Sequence, residues 1–373
     1  MPGESSNNLA VVRRLVLEAL RNPCGVVALP AGELDLTLRL VRRARLLGRL
    51  AWQLRDGGLL EAQPAVVADQ LQSALVVAES RARAARWELD RIAWALERVP
   101  DVPLVAMKGC AYLLAGTPNA AGRTFSDVDL LVPEADLPAV EGRLREQGWQ
   151  SKELTPYDER HYRIRSHELP PMTHVEREVE VDLHHNILMR TARLKPAPAL
   201  LFEAARPVPG SRFKVLAPVD MVLHAMVHLF YGGEMDDALR ELVDIGDLLG
   251  HFGEHEPGFW EGFWPRAEEL DLARPAFYGL HFAWQLLGTP VPDVVVEASR
   301  EGAPGDSSLW LMDWSVPRAL FPQWSASTNR AAPLARLLLY VRSHWVKMPT
   351  LMLVSHLAYK SYARLFQRNA TAG

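Results

Sequence analysis

The sequence predicts an α+β chain. A small mixed β-sheet core with helices, residues 100–190, sits between an N-terminal helical region (1–99) and a C-terminal helical region (191–373). Three observations carry this reading. Apolar residues recur near a 3.6-residue period across residues 9–98. From Pro103 the pattern changes to short apolar runs and strict alternation. From Pro218 it returns to helical spacing. A length of 373 residues, at roughly 150 per domain, suits two or three domains.

In the first region Leu38, Val41, Leu46, Leu47 and Leu50 follow the helical period, with Arg42, Arg43, Arg45 and Arg49 between them. A long helix is expected from Pro64 to Arg98, its stripe running through Leu71, Ala74, Leu75, Ala78, Ala82 and Ala85 and continued by Leu89, Ile92, Ala93 and Leu96. Pro100 and Pro103 end it. The arginine-rich faces read as solvated helix surface. Residues 103–107 suit a buried strand, and AYLLA after Lys108-Gly109-Cys110 a short helix. Residues 126–132 and 176–184 alternate and read as strands, with a helix from Pro133 to Glu146 ended by Gly148. Residues 160–169 read as a further strand. Helices are expected at 218–230, at 238–252 and through much of 257–292, with a loop at 302–308. A C-terminal helical segment spans 331–366, interrupted near Pro349.

Composition narrows the function. Hydrophobic residues make up 49% and charged residues 23%, which suits a folded chain and excludes a disordered one. The net charge is −4, without the Lys/Arg surplus of a chain that grips long nucleic acid. Cys24 and Cys110 are too few for a disulfide framework or a cysteine zinc site. No run approaches 18 uncharged apolar residues, so no membrane span is expected. The N-terminus lacks the basic start and apolar stretch of a signal peptide, and the expected location is the cytoplasm.

The most informative segment is SDVDLLV, residues 126–132. Side chains alternate along a strand, so Asp127 and Asp129 share one face while Val128, Leu130 and Val132 point to the core. Two carboxylates about 7 Å apart on one face repel unless a cation neutralises them. Oxygen ligands of this kind suit Mg²⁺. Alone, Asp-x-Asp is weak evidence, and an exposed strand edge or turn is the plainer reading. In EVEVDLH (178–184) the polar positions again share a face, so Asp182 or Glu180 can complete a three-carboxylate cluster if the two strands are neighbours. Lys108-Gly109-Cys110 lies at a strand-to-helix junction, where Gly admits close backbone approach and free N–H groups suit phosphate. An ordinary tight turn is the plainer reading. Arg123 can pair with phosphate or with nearby carboxylates.

These pieces, M-K-G-C (107–110), R-T-F-S-D-V-D-L-L-V (123–132) and E-V-D-L-H-H (180–185), resemble the nucleotidyltransferase fold of the DNA polymerase beta-like superfamily. More narrowly they resemble bacterial nucleotidyltransferase family proteins. So does the helical stretch D-M-V-L-H-A-M-V-H-L (220–229), followed by L-V-D-I-G-D-L-L (242–249). The resemblance implies a nucleotidyltransferase core and transfer of a nucleoside monophosphate from an NTP such as ATP, releasing pyrophosphate. It implies two Mg²⁺ ions held by Asp127, Asp129 and Asp182. Lys108, Gly109, Arg123 and Ser126 would then face the nucleotide. The acceptor would be a small molecule, a peptide or a protein; its identity is open at this stage. Cys110 stands where the superfamily usually has Ser, and the gap from Gly109 to Asp127 is longer than usual.

His184 shares the Asp182 face and suits either the metal site or a structural hydrogen bond. His224 and His228 stand four apart, but residue 225 is Ala, so His-Glu-x-x-His is absent. Packing, or contact with Asp244 or Asp247, is the expected role of that pair. Asp244 and Asp247 suit the acceptor side or a helix surface. Two rivals use the same residues: a catalytically silent nucleotide-binding relative, and a metal-dependent phosphohydrolase. Clustered acids without a task cost stability, which disfavours the first.

Overall fold

The computed structural model describes residues 3–152, 154–233, 235–322 and 331–349. Its centre is a seven-stranded mixed sheet. The strands are β1 (Val105–Ala106), β2 (Asp127–Leu131), β3 (Trp149–Ser151), β4 (Met172–His174), β5 (Glu180–His184), β6 (Arg206–Pro207) and β7 (Lys214–Val215), ordered β3-β4-β5-β2-β1-β7-β6. β2 and β5 are parallel neighbours, with Asp127 opposite Glu180, Asp129 opposite Asp182 and Leu131 opposite His184.

That register follows from burial. Val128, Leu130, Val181 and Leu183 enter one apolar cluster with Ile92 of the helix Ala65–Ala95 and its C-cap Leu96, and with Val140 and Leu144 of the helix Leu137–Glu146. Each such side chain stabilises the fold by roughly 1.5–3 kcal/mol. A one-residue slip would turn these four outward and bury the acids instead. The opposite faces of β2 and β5 therefore carry Asp127, Asp129, Asp182 and His184 together.

A second apolar cluster joins the N-terminal and C-terminal helices. It holds Leu38 and Leu40 of Ala31–Arg43, Leu50 and Leu54 of Leu47–Asp56, and Leu223 and Leu242 of Pro218–Gly232 and Ala238–His255. Arg49 crosses between the regions, its Nη2 2.6 Å from Asp247 Oδ1. The loop ahead of Arg123 docks here too. A Cβ at Gly48 would lie 2.2 Å from the Gly122 carbonyl oxygen, and Gly122 has φ +70°, so both positions require glycine.

Several expectations change. The expected strand at 160–169 is largely the helix Pro156–Arg165. Pro suits the first helical position, and Glu159 pairs with Arg163 one turn on, 3.4 Å away. Only Glu168 bridges to β5, opposite His184. The single helical period through Leu38–Leu50 is two helices, broken where Arg45 takes φ 58°. The expected loop 302–308 is shorter, because Asp306 opens the helix Asp306–Leu320 with an acid in its first turn. The C-terminal segment is the helix Ala332–Lys347; residues 350–366 of that expectation lie outside the described residues. Among the described residues, no helix is long and apolar enough to cross a membrane.

Candidate active site

Asp129 is the pivot of the acidic face. Its side chain is only 3% exposed, and one oxygen, Oδ1, accepts from Lys108 Nζ at 2.6 Å and from His184 Nε2 at 3.0 Å. Burial alone would raise this carboxyl, but the charges of Lys108 and His184 outweigh it and hold it far below the usual carboxylate range. Burial likewise opposes the charge on Lys108, and Asp129 overrides it. Lys108 heads the helix Lys108–Ala115 with φ 47°, a left-handed conformation that costs roughly 1–2 kcal/mol in a non-glycine residue. The Met107 N–H donates to the Asp129 carbonyl at 3.0 Å and holds this junction against β2.

Asp182 is the opposite case. It stands beside Asp129 in the register, and its Oδ1 is buried without a hydrogen-bond partner. Burial, and then the charge of Asp129, push its carboxyl up to about 7. One atom each from Asp129, Asp182 and His184 lies within 4.8 Å of the others. Asp127 shares the face but lies outside that group and accepts from Ser126 Oγ at 2.8 Å. Glu180, the alternative third acid, is drawn away by Lys152 Nζ at 3.0 Å.

Arg123 is committed elsewhere. Its guanidinium pairs with buried Asp244 and lies 5.3 Å from the centre of the Tyr112 ring. Asp244 holds Arg123 above its usual value despite burial. Asn119 Nδ2 adds a 3.3 Å bond to the same carboxylate. Gly109 is crowded as well: a Cβ there would meet Phe125 at 3.2 Å and Arg123 Nε at 3.4 Å. Its missing side chain thus admits the 123–125 segment. Cys110 is no nucleophile, since burial pushes its thiol up to about 12.

All seven sequence-predicted site residues border one cavity of about 510 Å³, nucleotide-sized by volume. The C-terminal helices wall its other side through His224, His228, Tyr231, Glu241 and Lys347. His228 Nδ1 lies 3.0 Å from Glu241 Oε2, so its partner is neither Asp244 nor Asp247. Asp244 takes Arg123 and Asp247 takes Arg49. His224 is buried in the cavity wall, and no cluster of metal-ligand type among the described residues includes either histidine. Sequence reasoning missed His167, Glu168, Arg240 and Glu241 on the cavity wall. The first two fall where a strand was expected, and the last two become visible only once the C-terminal helices close over the sheet.

The family model described as an uncharacterised nucleotidyltransferase matches residues 30–288, well over half the chain. The chain belongs to that family. The matched span contains the whole acidic face, the Arg123–Asp244 pair and both helices opposite the sheet; Lys347 lies beyond it. No curated protein and no solved structure matches the chain. Members of a nucleotidyltransferase family generally use an NTP and a divalent metal, and Asp129, Asp182 and His184 are a donor set of the right chemistry.

Proposed function

We propose that the chain is a polymerase beta-like, Mg²⁺-dependent nucleotidyltransferase whose metal ligands are Asp127, Asp129 and Asp182. One observation carries the reading: a buried, unpartnered carboxylate oxygen on Asp182 beside ionised Asp129, in a chain of this family. Such an oxygen is costly unless a cation meets it. The donor set, all carboxylate oxygens on one face of the sheet, fits Mg²⁺. Bound Mg²⁺ would supply Lewis-acid neutralisation of the triphosphate and lower the pKa of the acceptor hydroxyl.

The remaining roles belong to the chain. Lys108, already held at Asp129, adds a point charge beside the phosphates. Ser126 orients Asp127. Arg123 acts through Asp244, fixing the loop before β2. The helices Pro218–Gly232 and Ala238–His255 exclude water from the acceptor side. In the reaction a bond forms between an acceptor oxygen and the α-phosphorus. The bond from that phosphorus to the β-bridging oxygen breaks, and pyrophosphate leaves. The acceptor is a small molecule, peptide or protein rather than long nucleic acid, because the net charge of −4 offers no general basic track.

The test is to incubate the protein with each NTP, Mg²⁺ and an acceptor panel, and to identify the phosphate product. Pyrophosphate is expected. Orthophosphate would instead favour the phosphohydrolase reading, and nucleotide binding without release the silent one.

A further inference from the structure

Beside the acidic face lies a second donor set that shares only His184 with it. The segment after the helix Pro156–Arg165 runs antiparallel to the end of β5, with Glu168 bridged to His184. The His185 N–H donates to the His167 carbonyl at 2.8 Å, and the Leu169 N–H to the Leu183 carbonyl at 2.8 Å. The backbone thus fixes His167, Glu168 and His184 against one another. One donor atom from each lies within 4.8 Å of the others.

The ring of His184 faces two ways. Its Nε2 faces Asp129, which leaves Nδ1 as the ring's other possible donor atom toward a cation. That Nδ1 lies 3.3 Å from Glu168 Oε2 but off hydrogen-bond geometry, and it is buried with no partner. His167 repeats the pattern. Its Nε2 is 3.7 Å from the same Glu168 oxygen, and its Nδ1 is buried and unpartnered.

The separations match a metal's coordination edges. A tetrahedral site with bonds of about 2.0–2.2 Å has ligand–ligand edges of about 3.3–3.6 Å. The 3.3 Å edge falls in that range and the 3.7 Å edge just beyond it, with the three donor atoms all within 4.8 Å of one another. Two imidazoles and a carboxylate select a borderline first-row dication over Mg²⁺. We propose that His167, Glu168 and His184 form a binding site for a Zn²⁺-class dication, distinct from the carboxylate face of Asp127, Asp129 and Asp182. Asp129, accepting from His184 Nε2, supports the ligand from behind, as carboxylates do for metal-bound histidines. His167 and Glu168 are 25% and 24% exposed and border the cavity, which leaves a fourth position open to water or a ligand.

The experiment uses the full chain, stripped with a chelator and titrated with Co²⁺ as a spectroscopic stand-in for Zn²⁺. We expect intense visible absorption of tetrahedral type at one equivalent, bleached by Zn²⁺ and unaffected by excess Mg²⁺. His167→Asn and Glu168→Gln, each checked for a cooperative melt, weaken Co²⁺ binding by about tenfold or more. Asp127→Asn and Asp182→Asn leave it intact. Bands absent from the wild type, unchanged in His167→Asn and Glu168→Gln, or abolished equally by Asp182→Asn would overturn the assignment. The readout is independent of nucleotidyl transfer, so an inactive protein that binds Co²⁺ this way contradicts the proposed reaction and keeps this site.

Discussion

Asp182→Asn is expected to stabilise the metal-free protein while destroying its activity. The wild-type carboxyl has a folded value of about 7 against an ordinary 3.8, because burial and Asp129 disfavour its charge. At about 1.4 kcal/mol per tenfold in proton affinity, ionising it in the fold costs about 4 kcal/mol. The sign follows from linkage. The folded state binds the proton more tightly, so this carboxyl stabilises the fold below about pH 4 relative to alkaline pH. That contribution is lost as pH rises through about 7. Asparagine keeps the shape and removes the charge, so the variant's advantage is nil near pH 4 and rises to about 4 kcal/mol at pH 8. The assay is urea denaturation of both proteins with EDTA across this pH range. Saturating Mg²⁺ should then stabilise the wild type, by about 2.7 kcal/mol at a hundredfold excess over Kd, and leave the variant unmoved. A variant less stable than the wild type at pH 8, or equally responsive to Mg²⁺, would refute the reasoning.

Other outcomes follow from the same contacts. Asp127→Asn should abolish label transfer from an α-labelled NTP with almost no change in melting temperature, because among the described residues its carboxylate accepts only from exposed Ser126. Asp129→Asn should abolish transfer and also cost about 3 kcal/mol, since it strips the partner from Lys108 and His184. The folded value of Asp129 lies below its ordinary one, so its stabilisation is present at neutral pH and lost as pH falls below about 4. Lys108→Met should therefore flatten the acid limb of the wild-type stability curve. Arg123→Ala should cost about 3–5 kcal/mol by stranding Asp244, and the double variant Arg123→Met/Asp244→Leu should recover much of it in a denaturant melt. A nucleotide-binding Arg123 would give the reverse: intact stability and weakened NTP affinity.

The legible part of the site was the part written in strand alternation. Asp127, Asp129 and Asp182 were readable because a period of two puts acids and Val/Leu on opposite faces, and burial of Val128, Leu130, Val181 and Leu183 then fixes the pairing. Lys108 was readable from its place at the strand-to-helix junction. What escaped depends on tertiary approach. Nothing local joins Arg123 to Asp244, or His167 and Glu168 to His184; chain segments must first dock. Strands of two or three residues, such as β3, β4, β6 and β7, are too short to show alternation. The helix Pro156–Arg165 is too polar to show the apolar stripe that marks a helix in sequence.

The central claim is that Asp127, Asp129 and Asp182 grip the divalent ion that accompanies the nucleotide. A crystal of the protein with Mn²⁺ and a non-hydrolysable NTP tests it most directly, by the position of the anomalous signal. The account predicts a peak in contact with Asp182 Oδ1 and the two β2 carboxylates, with the triphosphate beside Lys108. An NTP bound in the cavity with Asp182 still unpartnered would contradict it.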